Sequence, residues 1–302
     1  MEENCKNISS IAQMQLSSGM SYVVQLNDGR FILIDGGENF DVDGERLYRY
    51  LVDKSKDENP VIACWLFTHG HKDHIFLAAE FMEVYKEKIV IENFAYNIPV
   101  EGMDFCGYDK GNGNEIVEEK WYQTIENYPA AKRYILKTKD TFTFANLRID
   151  VLSTAFDPYP AVPTNRNEVS AVFKLSFDNG KSFMVLGDAL GERLIELINP
   201  NSPIYCGDEI LKSDILQVAH HGLSVCKATD YEIVTELYRK IAPSICFWPQ
   251  NAFRFYNDPW CQSAKHTYNR FLLDSVKEKN FHASQTIVID VDNWQISLWD
   301  KR

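Results

Sequence analysis

The segment Thr68-His69-Gly70-His71-Lys72-Asp73-His74 follows directly on the apolar run Val61-Ile62-Ala63-Cys64-Trp65-Leu66-Phe67, and this junction constrains the chain more than any other feature. An unbroken apolar run of this length reads as a strand buried on both faces. Three of the seven histidines of the chain fall within six positions just past it. In an extended chain, positions two apart project to one side, so His69, His71 and Asp73 are expected to converge. His74 would then enter a helix and point to a second place. Imidazole and carboxylate are the usual ligands of zinc and of catalytic iron or manganese. Gly70 keeps the turn narrow enough for neighbouring backbone to approach. The pattern therefore predicts a metal site at the end of a buried strand, completed by ligands from elsewhere in the chain.

The remaining sequence alternates between strand and helix signals. Ser21 to Leu26 and Arg30 to Ile34 flank Asn27-Asp28-Gly29, a hairpin signature, and the second run ends in Asp35-Gly36-Gly37. Helices are expected over Gly44 to Lys54, Ile75 to Lys88, and from beyond a glycine-rich turn at Gly107 to Gly113 as far as Tyr128. Two hairpins follow, Thr141–Phe144 with Leu147–Val151 and Ala171–Leu175 with Ser182–Leu186. Strands at Ile215–Ala219, Ser244–Trp248, Gln285–Asp290 and Gln295–Trp299 then interleave with helices at Glu192–Ile198, Tyr231–Ile241 and Ala264–Lys279. Hairpins followed by strand–helix alternation, in both halves, predict an α/β (α+β) fold in which two mixed sheets pack face to face with helices outside. No linker or low-complexity tract divides the chain, so a single domain over residues 1–302, with a core of about 20–300, is expected.

Composition narrows the partners. The net charge of -12, with no run of basic residues, disfavours a long polyanion such as DNA, which is held by Lys and Arg on phosphates. The seven cysteines are odd in number, widely spaced and without a Cys-x-x-Cys pair, as suits reduced thiols. Cys64 and Cys246 lie in apolar strands and read as buried small hydrophobes. The polar stretch Met1 to Leu16 lacks a signal-peptide core, and no apolar run reaches the ~20 residues of a membrane span. A cytoplasmic protein acting on a small-molecule substrate is expected, with no membrane contact; the oligomeric state is not legible.

His69-x-His71-x-Asp73-His74 resembles the signature of the metallo-β-lactamase superfamily. Asp35-Gly36-Gly37 is similar to the segment whose Asp orders the metal-binding loop in that family. Leu186-Gly187-Asp188 looks like the segment that supplies a bridging carboxylate, and Val218-Ala219-His220-His221-Gly222 like the one that supplies the last His. Together with Asn167-x-x-Ser170, these segments are most similar to the branch containing the ComEC-type competence hydrolase domains and the teichoic-acid phosphorylcholine esterases. The matching segments run from about Ser21 to the last strands.

The resemblance implies the αββα sandwich and a binuclear centre. His69 and His71 would bind the first metal, Asp73, His74 and His220 the second, and Asp188 would bridge. Two Zn2+ ions per chain are expected, with Mn2+ or Fe as alternatives. Many relatives supply a third His to the first metal; this chain has no His between His74 and His220, which leaves a water or Asn167 to complete that shell. His221 is either a proton donor or the ligand in place of His220, and strand parity does not separate the two. Asn167 and Ser170 either contact substrate or close the turn before the strand at Ala171. Asp73 or Asp188 would orient a metal-activated hydroxide and His221 would protonate the leaving group.

The expected function is a metal-dependent hydrolase acting on a phosphodiester or phosphoester of modest size. A lactone or thioester hydrolase and an iron-dependent dioxygenase are the alternatives on the same scaffold. His266 and His282 read as ordinary surface or core residues. The aromatic residues Phe253, Phe255, Tyr256 and Trp260 would line a cleft, form a subunit contact or pack in the core.

Overall fold

The computed structural model of the chain describes residues 8–38, 41–98, 112–154, 163, 165–258 and 262–300. Cys5, Cys106, Cys261, Pro259, Trp260 and most of the expected turn Gly107 to Gly113 lie outside the described residues.

The first half of the chain supplies β1 (Ser10–Gln13), β2 (Tyr22–Gln25), β3 (Phe31–Ile34), α1 (Asp41–Lys54), β4 (Val61–Leu66), α2 (Lys72–Val84), β5 (Val90–Ile91), β6 (Asn93–Tyr96), α3 (Asn114–Glu126) and β7 (Lys132–Ile135). The second supplies β8 (Thr141–Phe144), β9 (Leu147–Ser153), β10 (Val172–Phe177), β11 (Ser182–Val185), α4 (Gly191–Glu196), α5 (Asp208–Leu211), β12 (Ile215–Gln217), α6 (Tyr231–Ile241), β13 (Ile245–Trp248), α7 (Ala252–Asn257), α8 (Thr267–Val276) and β14 (Asn280–His282). The chain then crosses back as β15 (Thr286–Asp290) and β16 (Gln295–Trp299). One sheet runs β16-β15-β1-β2-β3-β4-β6-β7, with β5 beside β4, and the other runs β14-β13-β12-β11-β10-β9-β8. Both are mixed, antiparallel in their hairpins and parallel where helices intervene.

Period-two alternation builds the layers. In β3, Phe31 and Leu33 join the core under α1, α2 and α3, while Ile32 and Ile34 join the core between the sheets. In β13, Ile245 and Phe247 face that same inter-sheet core, and Cys246 and Trp248 face the helices of the second half. Three apolar layers thus separate four structural ones, the αββα sandwich. Among the described residues no helix is long and apolar enough to cross a membrane.

Several local expectations are corrected. The stretch through Leu16, read as polar, contains β1, which is buried along its whole length between β2 and β15. Its buried Gln13 donates to the Phe281 carbonyl at 3.0 Å. The helix after the His cluster starts at Lys72, so Asp73 is helical and not extended. The helix expected over Ala264 to Lys279 is divided into α8 and short 3₁₀ turns at Ser263–Lys265 and Lys277–Lys279. Strands β5, β6 and β7 escaped the periodicity because Glu92, Asn93, Lys132 and Arg133 interrupt their apolar pattern.

Candidate metal centre

The site lies past the C-terminal ends of strands from both sheets, where open α/β sheets gather ligands. In the first sheet the parallel pair β3 and β4 ends in register, Ile34 beside Leu66. In the second, Val185, Gln217 and Phe247 are level across the parallel strands β11, β12 and β13. The loops that follow each of these ends carry the polar residues.

Asp35 organises the first group. Its peptide adopts φ 53°, and its buried carboxylate accepts from the Thr68 amide at 2.8 Å and the Thr68 hydroxyl at 2.7 Å. It also lies 2.6 Å from His74 Nδ1. Burial outweighs these partners and raises the Asp35 pKa. Because the Thr68 proton goes to Asp35, Thr68 Oγ1 acts as an acceptor for His69 Nδ1, 3.0 Å away. Both imidazoles are therefore held from behind with Nε2 turned to the site, the usual arrangement of a histidine ligand and its supporting partner.

The opposite wall is tied together by Gln217. Its amide oxygen accepts from the Leu186 and Gly187 amides, each at 2.7 Å, and its nitrogen donates to the Gly187 and Val218 carbonyls at 3.0 and 2.7 Å. This fully satisfied buried side chain holds the Leu186-Gly187-Asp188 loop. A glycine is required at 187, where φ is +57° and a Cβ would press on Ser170 Oγ. A polar residue in the otherwise apolar run Ile-Leu-Gln-Val-Ala was the signal for this clamp in the sequence.

Two donor groups result. Asp73, His74, Asp188 and His221 form one, and His69, His71 and Asp188 the other, with the donor atoms of each group within 4.8 Å of one another. Asp188 Oδ2 lies 3.2 Å from His74 Nε2, 3.3 Å from His221 Nε2 and 4.0 Å from His69 Nε2. His221 Nε2 stands 3.3 Å from Asp73 Oδ2 and 3.3 Å from His74 Nε2. His69 Nε2 and His71 Nδ1 are 3.0 Å apart. Tetrahedral ligands about 2.0–2.2 Å from one ion stand about 3.3–3.6 Å from each other, so this spacing suits a shared ion. The buried Asp188 Oδ1 has no hydrogen-bond partner, as a carboxylate facing a cation requires. The residues present fit a divalent metal.

The expected order of the adjacent histidines is reversed. His221, and not His220, brings its ring to Asp73, His74 and Asp188, and its Nδ1 is held 2.6 Å from the Pro249 carbonyl. Both residues sit in the left-handed region, φ 50° for His220 and 56° for His221, so the chain twists sharply and successive side chains do not alternate as in a strand. His220 turns away: its Nδ1 meets the Ser224 carbonyl at 3.0 Å, and its Nε2 lies 3.2 Å from Asn167 Nδ2. Ser170 is likewise placed differently from a substrate contact. It is wholly buried, accepts from the Asp188 amide at 3.0 Å and lies 3.1 Å from His69 Nδ1. Asn167 does line the cavity, on a 3₁₀ turn capped by Asn165.

The electrostatics follow from this crowding. Burial lowers the His69 pKa, and its neighbours His74 and His71 lower it further. For His74, burial is overcome by Asp188, Asp35 and Asp73, and the pKa rises well above the usual imidazole value. His221 is pushed to about 10, with burial opposed by Asp188 and Asp73. Asp188 is held well below the carboxylate range because His221 and His74 outweigh its burial.

The centre opens into a cavity of about 530 Å³. Its walls include Ser17 and Ser18 from the β1–β2 connection, Lys72 beside the cluster, and Gln250 and Arg254 after β13. Of the aromatic group expected near here, Phe255 is buried against Trp248, whereas Phe253 and Tyr256 are exposed. His266 and His282 take part in aromatic packing, with Tyr268 and Trp248 respectively. Cys64 and Cys246 are buried and burial pushes both thiols up.

Comparison with known proteins agrees with the architecture. Residues 15–154 match the model of the metallo-beta-lactamase superfamily. The metallo-beta-lactamase fold protein YhfI from Bacillus subtilis is 10% identical with a TM-score of 0.53, and the match covers 93% of this chain and 98% of that one. Zn(2+)-bound PqqB from Methylobacterium extorquens is 10% identical with a TM-score of 0.52, over 91% of this chain and 88% of its own. Unliganded yeast PDE1 is 12% identical with a TM-score of 0.50, over 91% and 97%. Comparison with curated proteins gives no match. The chain has the αββα fold of these neighbours, and residues 15–154 match the superfamily's model.

Proposed function

We propose that the chain is a metal-dependent hydrolase of phosphodiesters or phosphoesters of modest size. The observation that carries the reading is the convergence of six side chains, His69, His71, Asp73, His74, Asp188 and His221, into two donor groups that share Asp188. In this reading Asp73, His74 and His221 would hold one divalent ion, zinc in the first instance, and His69 and His71 a second, with Asp188 common to the two donor groups. Ions held there would supply a water of lowered pKa and a polarising charge for the oxygen of the scissile group.

The protein's own residues do the rest. Asp35, Thr68, Ser170 and the Pro249 carbonyl fix the rings from behind, so little reorganisation is needed when substrate binds. Asp73, the partly open carboxylate of the cluster, is placed to orient the attacking water. His220 and Asn167 form the cavity wall beside it. The preference for phosphoesters rests on the motif resemblance, with the cations Lys72 and Arg254 on the cavity wall in support. An acidic chain remains a poor match for a nucleic-acid polymer.

The test is metal content beside activity. About two zinc or manganese ions per chain are expected, both diminished in Asp188→Ala, with metal-dependent cleavage of bis(p-nitrophenyl) phosphate. Turnover of lactones or thioesters with no phosphoester cleavage would establish the runner-up, and a visible absorption band from bound iron would point to an oxygenase.

A further inference from the structure

Three successive residues, His220, His221 and Gly222, have φ of 50°, 56° and 77°. Glycine adopts that region freely, but in the two histidines the Cβ crowds the following carbonyl, which costs free energy. Such a run persists only where the surrounding structure over-determines it. Here it settles which ring joins the donor group: His221 Nε2 turns to Asp73 and Asp188, and His220 turns to Asn167.

The contacts that hold the run come largely from α8. Upstream, the His220 amide donates to the Gly187 carbonyl at 3.0 Å. Downstream, the peptide between Gly222 and Leu223 is gripped at both ends. Its amide donates to the His220 carbonyl at 2.7 Å, and its carbonyl accepts from Asn269 Nδ2 at 2.6 Å. Asn269 Nδ2 also donates to the Ser263 carbonyl at 2.8 Å. The carboxamide therefore has one orientation, because turned over its oxygen would face two carbonyls. The neighbouring Tyr268 hydroxyl donates to the Leu223 carbonyl and accepts from the Val225 amide, each at 3.2 Å.

Both side chains are buried, and Asn269 shares the core-facing stripe of α8 with Leu272 and Val276. Asparagine is a poor helix former, and burying its amide is unfavourable unless the amide is paired. Packing alone would be better served by an apolar residue at this place. What the amide adds is its grip on the backbone beside His221, 47 residues back along the chain at Gly222.

We propose that Asn269, with Tyr268 beside it, is a positioning residue of the metal centre. Together they hold the backbone from Gly222 to Val225, which keeps the two left-handed histidines from relaxing and keeps His221 with Asp73, His74 and Asp188. The inference rests on reading that group as a metal site and not on the identity of the substrate.

The experiment measures zinc affinity by chelator competition in the wild type, His221→Ala, Asn269→Leu and the double variant, with folding checked by thermal unfolding. The binding step that His221→Ala abolishes identifies the group. Asn269→Leu keeps the size of the side chain and removes its donors. It is expected to weaken that step about tenfold or more and to change any other step less than about threefold. In the His221→Ala background it is expected to change the remaining step less than about threefold, since the ligand it positions is already gone. A general loosening of the fold would weaken both steps alike. Should Asn269→Leu not fold, Tyr268→Phe carries the same comparison, with a loss of about fivefold expected at the same step. A folded variant with wild-type zinc affinity at every step overturns the positioning role, as do equal losses at both steps or a full loss at the step left in His221→Ala. A wild type that binds no zinc discards the metal reading and this inference with it. Zinc binding with the expected selectivity but without phosphoester cleavage discards the reaction and keeps the positioning role.

Discussion

Arg166 and Glu118 meet in a two-pronged ion pair, Nε to Oε1 at 2.7 Å and Nη2 to Oε2 at 2.8 Å, with both residues buried behind the His69-Gly70-His71 loop. The pair joins α3 to the 3₁₀ turn that carries Asn167, and a Cβ at Gly70 would overlap Glu118 Oε1. Glu118 and Arg166 thus set the position of two parts of the site at once. Removing one partner leaves a buried charge, so Arg166→Met is expected to cost about 3–5 kcal/mol, while the double change with Glu118→Leu recovers much of that loss. Urea unfolding of the single and double variants measures both. A single-variant loss below about 1 kcal/mol would mean the pair is not structurally important.

The reversed histidine pair gives a sharp contrast between neighbours. His221→Ala is expected to lose about one metal ion per chain, as removal of a ligand from a four-donor group should. His220→Ala should keep its metal, because its ring is engaged with Asn167 and Ser224 outside the cluster. Elemental analysis of the two proteins after dialysis distinguishes them, and metal loss confined to His220→Ala would contradict the placement described above.

Metal binding should weaken as pH falls. The raised pKa of His74, and of His221 at about 10, means that these rings carry protons at neutral pH unless an ion replaces them. Zinc must displace those protons, so its apparent affinity rises with pH and binding releases protons near pH 7. Titration calorimetry in two buffers of different ionisation enthalpy reads the release directly. Binding heats independent of the buffer would show that the rings are already neutral.

Gln217 offers a stability test away from the ligands. Gln217→Leu strips partners from two buried amides and two carbonyls, so a loss of about 3 kcal/mol or more is expected if even a few stay unsatisfied. Metal affinity should fall as well, since the Asp188 loop loses its clamp. A thermal midpoint close to that of the wild type would imply that the loop is held by other contacts.

Ser170→Ala probes the support behind His69. It removes the acceptor of the Asp188 amide and one neighbour of His69 Nδ1. Partners of metal ligands typically contribute about 10–100-fold in metal affinity, and a loss in that range is expected. Unaltered zinc affinity in a chelator competition would assign Ser170 to turn closure alone.

What the sequence determined by itself was the pattern of donors and the alternation of layers. His69, His71, Asp73 and His74 lie within six residues after a buried strand, and such a cluster is local information. The unbroken apolar runs of β3 and β13 likewise state that both faces of these strands are buried. Tertiary structure decided the rest. Whether His220 or His221 joins the cluster depends on two successive left-handed residues, a conformation stabilised by contacts such as His220 N to the Gly187 carbonyl and His221 Nδ1 to the Pro249 carbonyl, 28 residues away in sequence. Ser170 became a support and not a substrate contact because Gly187 packs against it from another strand. Strand β1 formed from a short, mostly small or polar segment because β2 and β15 pair with it on both sides. Local periodicity carries no record of such partners: the free energy that settles these conformations comes from groups far along the chain.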